Sequence, residues 1–117
     1  MKATVLVDNI GTEELPGEWG LSFFIEYRGV KVLLDAGADG LFAENARRLG
    51  LALDEVDHAV LSHAHYDHAD GMADFLAQNT KAKLYLRESC GENCYKKEAD
   101  RWKYIGIREG LLGQYRD

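Results

Sequence analysis

The sequence predicts an α/β layered domain, a mixed sheet with flanking helices. Two observations carry that expectation. Apolar residues recur at period two early in the chain, and strand-like and helix-like patterns then alternate as far as residue 86. The 117 residues leave room for one domain spanning 1–117 and one modest core. Hydrophobic residues are 46% and charged residues 29%, with a single Pro, which excludes a disordered or low-complexity chain. A net charge of −6 without a basic stripe argues against nucleic acid and anionic membrane as partners. No apolar run approaches a membrane span, and the N-terminal run is strand-sized rather than a leader's apolar region. Two cysteines make no disulfide framework, so a cytoplasmic location is expected.

Residues 3–7 (A-T-V-L-V) are apolar and β-branched and stop at Asp8-Asn9, which reads as a first strand. Residues 11–20 contain Pro16-Gly17 and form a loop. In residues 21–27, Leu21, Phe23, Ile25 and Tyr27 alternate with Ser22 and Glu26, so the first set is expected to face the core. Arg28-Gly29 is a two-residue turn into a partner strand over 30–34. Asp39 is the expected N-cap of a helix reaching Leu49, with Phe42, Ala46 and Leu49 inward and Gly50 just past its end. A strand over 56–62, a helix over 69–78 with Met72, Phe75 and Leu76 inward, and a last strand over 83–86 follow. Beyond Arg87 glycines interrupt a polar and aromatic mixture without periodicity.

Three of the four histidines fall within six residues, His63-Ala64-His65-Tyr66-Asp67-His68, where a strand gives way to a helix. His63 and His65, two apart in extended chain, point the same way, and Asp67 and His68 fall on the turn that follows. Imidazoles joined by a carboxylate suit zinc, iron, nickel or manganese. Three His and one Asp at fixed places recur by chance roughly once in ten thousand chains of this length. A merely solvated polar loop is the weaker explanation.

This segment matches the H-x-H-x-D-H motif, and on it the sequence resembles the metallo-β-lactamase-fold hydrolases. Leu34-Asp35-Ala36-Gly37 is similar to that family's D-x-G at a strand end. Gly17-Glu18-Trp19-Gly20-Leu21-Ser22-Phe23 and Tyr104-Ile105-Gly106-Ile107 resemble the branch related to dihydropterin-linked ribofuranosylaminobenzene phosphate synthases. The resemblance implies the first half of an αβ/βα layered fold with metals at one edge of the sheet. His63 and His65 would then be ligands of a first metal, and Asp67 and His68 of a second. A hydroxide between them would be the nucleophile, oriented by Asp67 as the catalytic residue, with Asp35 holding a ligand imidazole in its tautomer. One or two zinc ions are the first expectation, with manganese, iron or nickel as alternatives. The substrate would be a small molecule of unassigned class.

The family's remaining ligands, two histidines and a bridging aspartate, come from later in the chain. After His68 this sequence has no histidine, and Asp70, Asp74, Asp100 and Asp117 sit in no ligand motif. Zinc sites use three or four protein ligands, so two per metal is too few. A homodimer packed sheet on sheet is the expected remedy. The alternative is a truncated, non-catalytic metal-binding or assembly module. His58, inside a strand, is expected to be a packed or edge histidine rather than a ligand. Cys90 and Cys94 read as free thiols, an accessory soft-metal site being the weaker reading. Tyr95, Trp102, Tyr104 and Tyr115 interleave with Lys96, Lys97, Arg101 and Lys103, and this segment is expected to pack against the family's second half or a partner, a base-stacking surface being the weaker reading. Trp19 either shapes the pocket or closes it.

Overall fold

The computed structural model describes residues 1–115; Asp117 lies outside them. The chain opens with an antiparallel meander of β1 (Lys2–Val7), β2 (Ser22–Tyr27) and β3 (Val30–Leu34). The turn between β2 and β3 puts Arg28 at φ 49° and Gly29 at φ 79°, the positive pair that a tight hairpin twist requires. β3 leads through α1 (Leu41–Arg48) and a 3-10 turn (Leu53–Glu55) to β4 (His58–Val60), parallel to β3. β4 leads through α2 (Tyr66–Ala69) and α3 (Met72–Gln78) to β5 (Lys83–Tyr85), parallel to β4. The five strands form one mixed sheet in sequence order, so the α/β layered class is the one observed. A separate hairpin of β6 (Tyr95–Glu98) and β7 (Arg101–Tyr104) and the short α4 (Leu111–Gln114) complete the described chain.

The register sorts the sheet into two unlike faces. Thr4, Phe24, Leu33, Ala59 and Leu84 stand side by side across the five strands on one face. Phe24, Leu33 and Ala59 are buried there with Phe42 and Ala46 of α1 and Met72 and Phe75 of α3. The row Val5, Phe23, Leu34, Val60 and Tyr85 lies on the opposite face, next to Ala3, Ile25, Val32 and His58. Those residues stand apart from the core cluster, and Val5 and Tyr85 are nearly half exposed.

This corrects the orientation expected for β2. Ser22 and Phe24 face the core, while Phe23 and Ile25 are half-buried and Tyr27 is exposed. Ser22 is fully buried because its hydroxyl donates to the Asp35 carbonyl at 2.8 Å, which satisfies a polar group that period-two patterning assigns to solvent.

Other boundaries shift for local reasons. Gly40, not Asp39, occupies the N-cap of α1, yet the Asp39 carboxylate still accepts the Leu41 N–H at 2.9 Å. Leu49 caps the C-terminal end and is exposed, and Asn45 takes the inward place, donating to the Leu6 and Pro16 carbonyls. The expected strand over 56–62 narrows to three residues. The expected helix over 69–78 is two helices, and it begins earlier, so Asp67 and His68 are helical. β5 is not the last strand, since β6 and β7 follow it.

The break between α2 and α3 lies at Gly71, pressed against the loop that leaves β3. A Cβ on Gly71 would stand 1.9 Å from the Ala36 carbonyl oxygen and 2.7 Å from that of Asp39. Gly71 donates to the Gly37 carbonyl at 3.1 Å, and Ala36 donates to that of His68 at 2.8 Å. Gly71→Ala should therefore lower stability by about 3 kcal/mol, the upper end for overpacking. Gly91→Ala, where a Cβ meets nothing within 4 Å, should lie close to wild type, and urea unfolding at constant m-value separates the two.

Candidate metal centre

Because β3 and β4 are parallel, their C-terminal ends emerge at the same edge, where sheets of this kind gather ligands. Asp35 follows the last residue of β3, and its main-chain N–H donates to the Val60 carbonyl at 2.9 Å. Its φ of 57° is left-handed, a conformation that Asp adopts more readily than most side chains. The Asp35 side chain is 1% exposed and accepts three hydrogen bonds. Ser62 donates from its main chain to Oδ1 at 2.7 Å and from its hydroxyl to Oδ2 at 2.6 Å. His68 Nδ1 lies 2.7 Å from Oδ2.

This network decides the tautomers. A carboxylate only accepts, so His68 carries its proton on Nδ1 and presents a bare Nε2. The Ser62 hydroxyl, having given its proton to Asp35, accepts from His63 Nδ1 at 2.8 Å, so His63 also presents Nε2. Burial, then the nearby His68 and His65, holds the His63 imidazole below its ordinary value of 6.5, which keeps it neutral and ready to ligate at neutral pH.

The sequence-predicted residues gather at this edge. The His63 ring lies 4.2 Å from the His68 ring and 4.6 Å from the His65 ring between centroids. Asp67, in the first turn of α2, places Oδ1 at 4.0 Å from His68 Nε2, a gap that one ion with bonds of about 2.0–2.2 Å can bridge. Asp35, His63 and His68 offer ligand atoms that all lie within 4.8 Å of one another. Both Asp35 oxygens already accept from the chain, so Asp35 sits behind the imidazoles as their support. Nitrogen and carboxylate donors facing one edge fit a divalent ion.

His58 lies away from this group, in β4, its ring edge-on to Tyr85 at 5.6 Å. Cys90 and Cys94 are partly buried free thiols, and burial pushes Cys90 up. Asp70 instead accepts the Arg108 main-chain N–H. Trp19 is exposed, beside Glu18, which accepts the Ala38 N–H. A cavity of about 610 Å³ between α3 and α4 is lined by Met72, Leu84, Cys90, Ile107 and Leu111 and by none of the histidines.

Two supports were missed in the sequence. Ser62 links Asp35 to His63, and its only signal was its place before the first histidine. Gly106 forms an antiparallel bridge with His65, flanked by the Tyr66 N–H to Ile105 carbonyl bond at 3.0 Å and the Ile107 N–H to Ala64 carbonyl bond at 2.7 Å. A Cβ on Gly106 would stand 2.7 Å from the Tyr104 ring, so glycine lets that ring lie against the main chain that pairs with His65. No local pattern marks a contact across forty residues.

Residues 17–115 match the family model of the metallo-beta-lactamase superfamily. The chain belongs to this superfamily. An uncharacterized protein of Methanocaldococcus jannaschii, MJ0448, is 37% identical over 68 residues, which are 58% of this chain and 27% of that protein. Among solved structures, a metallo-beta-lactamase with a HARLDQ motif from Cronobacter sakazakii is 26% identical, with a TM-score of 0.52 over 60% of this chain and 26% of that one. The metallo-beta-lactamase MIM-1 from Novosphingobium pentaromativorans is also 26% identical, with a TM-score of 0.51 over 61% of this chain and 27% of that one. FEZ-1 from Legionella gormanii, at 22% identity and a TM-score of 0.51 over 70% of this chain and 29% of that one, shows the fold alone. The chain thus spans just over a quarter of the length of these relatives. No helix among the described residues is long and apolar enough to cross a membrane.

Asp35→Asn keeps the left-handed backbone accessible but leaves a single acceptor for three donors. Zinc affinity should fall about 10- to 100-fold, as when other supports of metal-bound histidine are lost, measured by competition with a chromogenic chelator. The Tyr104 hydroxyl donates to the Ile107 carbonyl, and burial, then the Glu92 and Glu109 carboxylates, pushes its phenol up to about 12. The folded chain therefore holds this proton longer than the unfolded one. Its contribution to stability is complete below pH 10 and is lost as pH rises towards 12. Spectrophotometric titration should show one late phenol that disappears in Tyr104→Phe.

Proposed function

We propose that this chain carries the metal-binding part of a hydrolase, with His63, His65, Asp67 and His68 as ligands. The observation that supports it is the Asp35 network, which holds the His63 and His68 imidazoles with Nε2 bare at one sheet edge. One or two divalent ions there, zinc first, would polarise the bond to be broken and bring the pKa of water down to about 7. Asp35 and Ser62 would fix the imidazoles, Asp67 would orient the attacking water, and the His65 segment would be steadied by Gly106. The segments around Trp19 and Tyr104 favour the branch that resembles the ribofuranosylaminobenzene phosphate synthases, and with it a small-molecule substrate in the cytoplasm.

The four residues are too few for two complete metal sites, and the open sheet face offers the means of completing them. Five strands about 4.8 Å apart, of six, six, five, three and three residues, present a face of roughly 360 Å² in plan. Monomers seldom leave more apolar surface than this uncovered. A second copy stacked on it would bury roughly 700 Å² in plan and more in accessible area, the small end of the range for protein interfaces. We place the complete centre in such a dimer. The openness of this face also favours the second reading, an assembly module that binds metal without turnover.

Elemental analysis on gel-filtered protein of known mass tests this. Near-stoichiometric zinc in a dimer that hydrolyses bis(4-nitrophenyl) phosphate is the expected result, with zinc affinity down at least about 100-fold in His63→Ala or His68→Ala. Zinc in a dimer without turnover of any ester supports the assembly module. A monomer that takes up no zinc overturns both.

A further inference from the structure

The β6–β7 hairpin stands outside the five-stranded sheet, yet its base is fastened to the metal centre. Ile105 N–H donates to the Cys94 carbonyl at 2.9 Å, closing the hairpin, and the next residue, Gly106, pairs with His65. The register places Tyr95 opposite Tyr104 and Lys97 opposite Trp102, so these four share one face. Lys96, Glu98, Arg101 and Lys103 share the other. The Tyr104 ring packs over Gly106, the Tyr95 ring meets it at 5.3 Å and 62°, and Lys97 Nζ lies 5.9 Å from the Trp102 centroid. A line of aromatic rings therefore leads outward from Gly106, the bridge partner of His65, and ends at a cation.

Two features of this line are unusual for a face without a ligand. Trp102 is 67% and Tyr95 55% exposed, large rings left in water on a hairpin whose base pairs with the His65 segment. Residues 95–104 also carry four cations against two carboxylates, in a chain whose net charge is −6. Stacked rings beside an ammonium recognise a planar ring that bears negative charge. The face spans about 7 Å along the strands and 5 Å across, room for one ring and its substituent rather than a polymer.

We infer that this hairpin is a substrate arm, on which Trp102, Tyr95 and Lys97 hold a planar aromatic group bearing an anionic substituent beside the histidines. The inference rests on the hydrolase reading and narrows its substrate to aryl anions. Trp102 and Lys97 are exposed, so their replacement leaves the core intact, which far-ultraviolet circular dichroism verifies.

The test uses the metal-loaded protein with Trp19→Phe, which leaves Trp102 as the remaining tryptophan. 4-Nitrophenyl phosphate should quench its fluorescence saturably, beyond the collisional quenching of N-acetyltryptophanamide. By calorimetry it should bind at least about 5-fold tighter than methyl phosphate, the low end of what one stacked ring contributes. Trp102→Ala should abolish that ratio, and Lys97→Ala should weaken 4-nitrophenyl phosphate by at least about 3-fold while sparing neutral 4-nitrobenzyl alcohol. Equal binding of the aryl and methyl esters, unsaturable quenching, or tighter binding of single-stranded oligothymidine than of the aryl ester would overturn the inference. Saturable aryl binding without turnover would uphold the arm and sink the hydrolase, whereas turnover with equal aryl and methyl binding would do the reverse.

Discussion

The buried carboxylate of Asp35 is the constraint on which the edge of this fold depends. It joins the end of β3 to the end of β4 through Ser62, and both to α2 through His68. All three bonds satisfy polar groups that burial would otherwise penalise, and those from the Ser62 hydroxyl and His68 also fix the tautomers of His63 and His68. Stripping a buried charge of its partners costs about 3–5 kcal/mol, so the carboxylate holds its donors as firmly as they hold it. The left-handed backbone at Asp35 and the bare main chain of Gly71 let the two loops close over this group.

The two faces of the sheet divide the work. Phe24, Leu33 and Ala59, under α1 and α3, supply a dry core that makes the strand ends rigid. Phe23, Val32, Leu34 and Val60 lie on the other side without that cover. A centre built at the strand ends lies between a finished side and an unfinished one. That arrangement lets a chain spanning just over a quarter of its relatives' length hold ordered imidazoles at the strand ends.

Much of this was legible in the sequence, for identifiable reasons. The β2–β3 hairpin followed from Arg28-Gly29 between two apolar runs, and the mixed sheet with flanking helices from the alternation of strand-like and helix-like patterns. The histidine cluster was legible because all its donors lie within six residues. What failed were features settled at long range. Ser22 looked like a solvent-facing residue because nothing local shows the Asp35 carbonyl that accepts its hydroxyl proton. The segment after Arg87 showed no periodicity because β6 and β7 are only four residues each and bury little, so their rings share a face with Lys97 and no apolar run forms. The division into α2 and α3 was hidden because the cause lies in a main-chain oxygen of Ala36.

The span between Asp35 and its partners has a consequence for the nascent chain. Ser62 lies 27 residues and His68 33 residues further along. At roughly 5–20 residues per second, the ribosome delivers His68 about 2–7 s after Asp35. The β1–β3 meander pairs within microseconds, so it waits for seconds with the edge of β3 unpaired. A hydrated carboxylate at the end of that edge discourages its pairing with another chain. The carboxylate that later gathers Ser62 and His68 is thus a hydrated charge at an open strand edge until its partners are made.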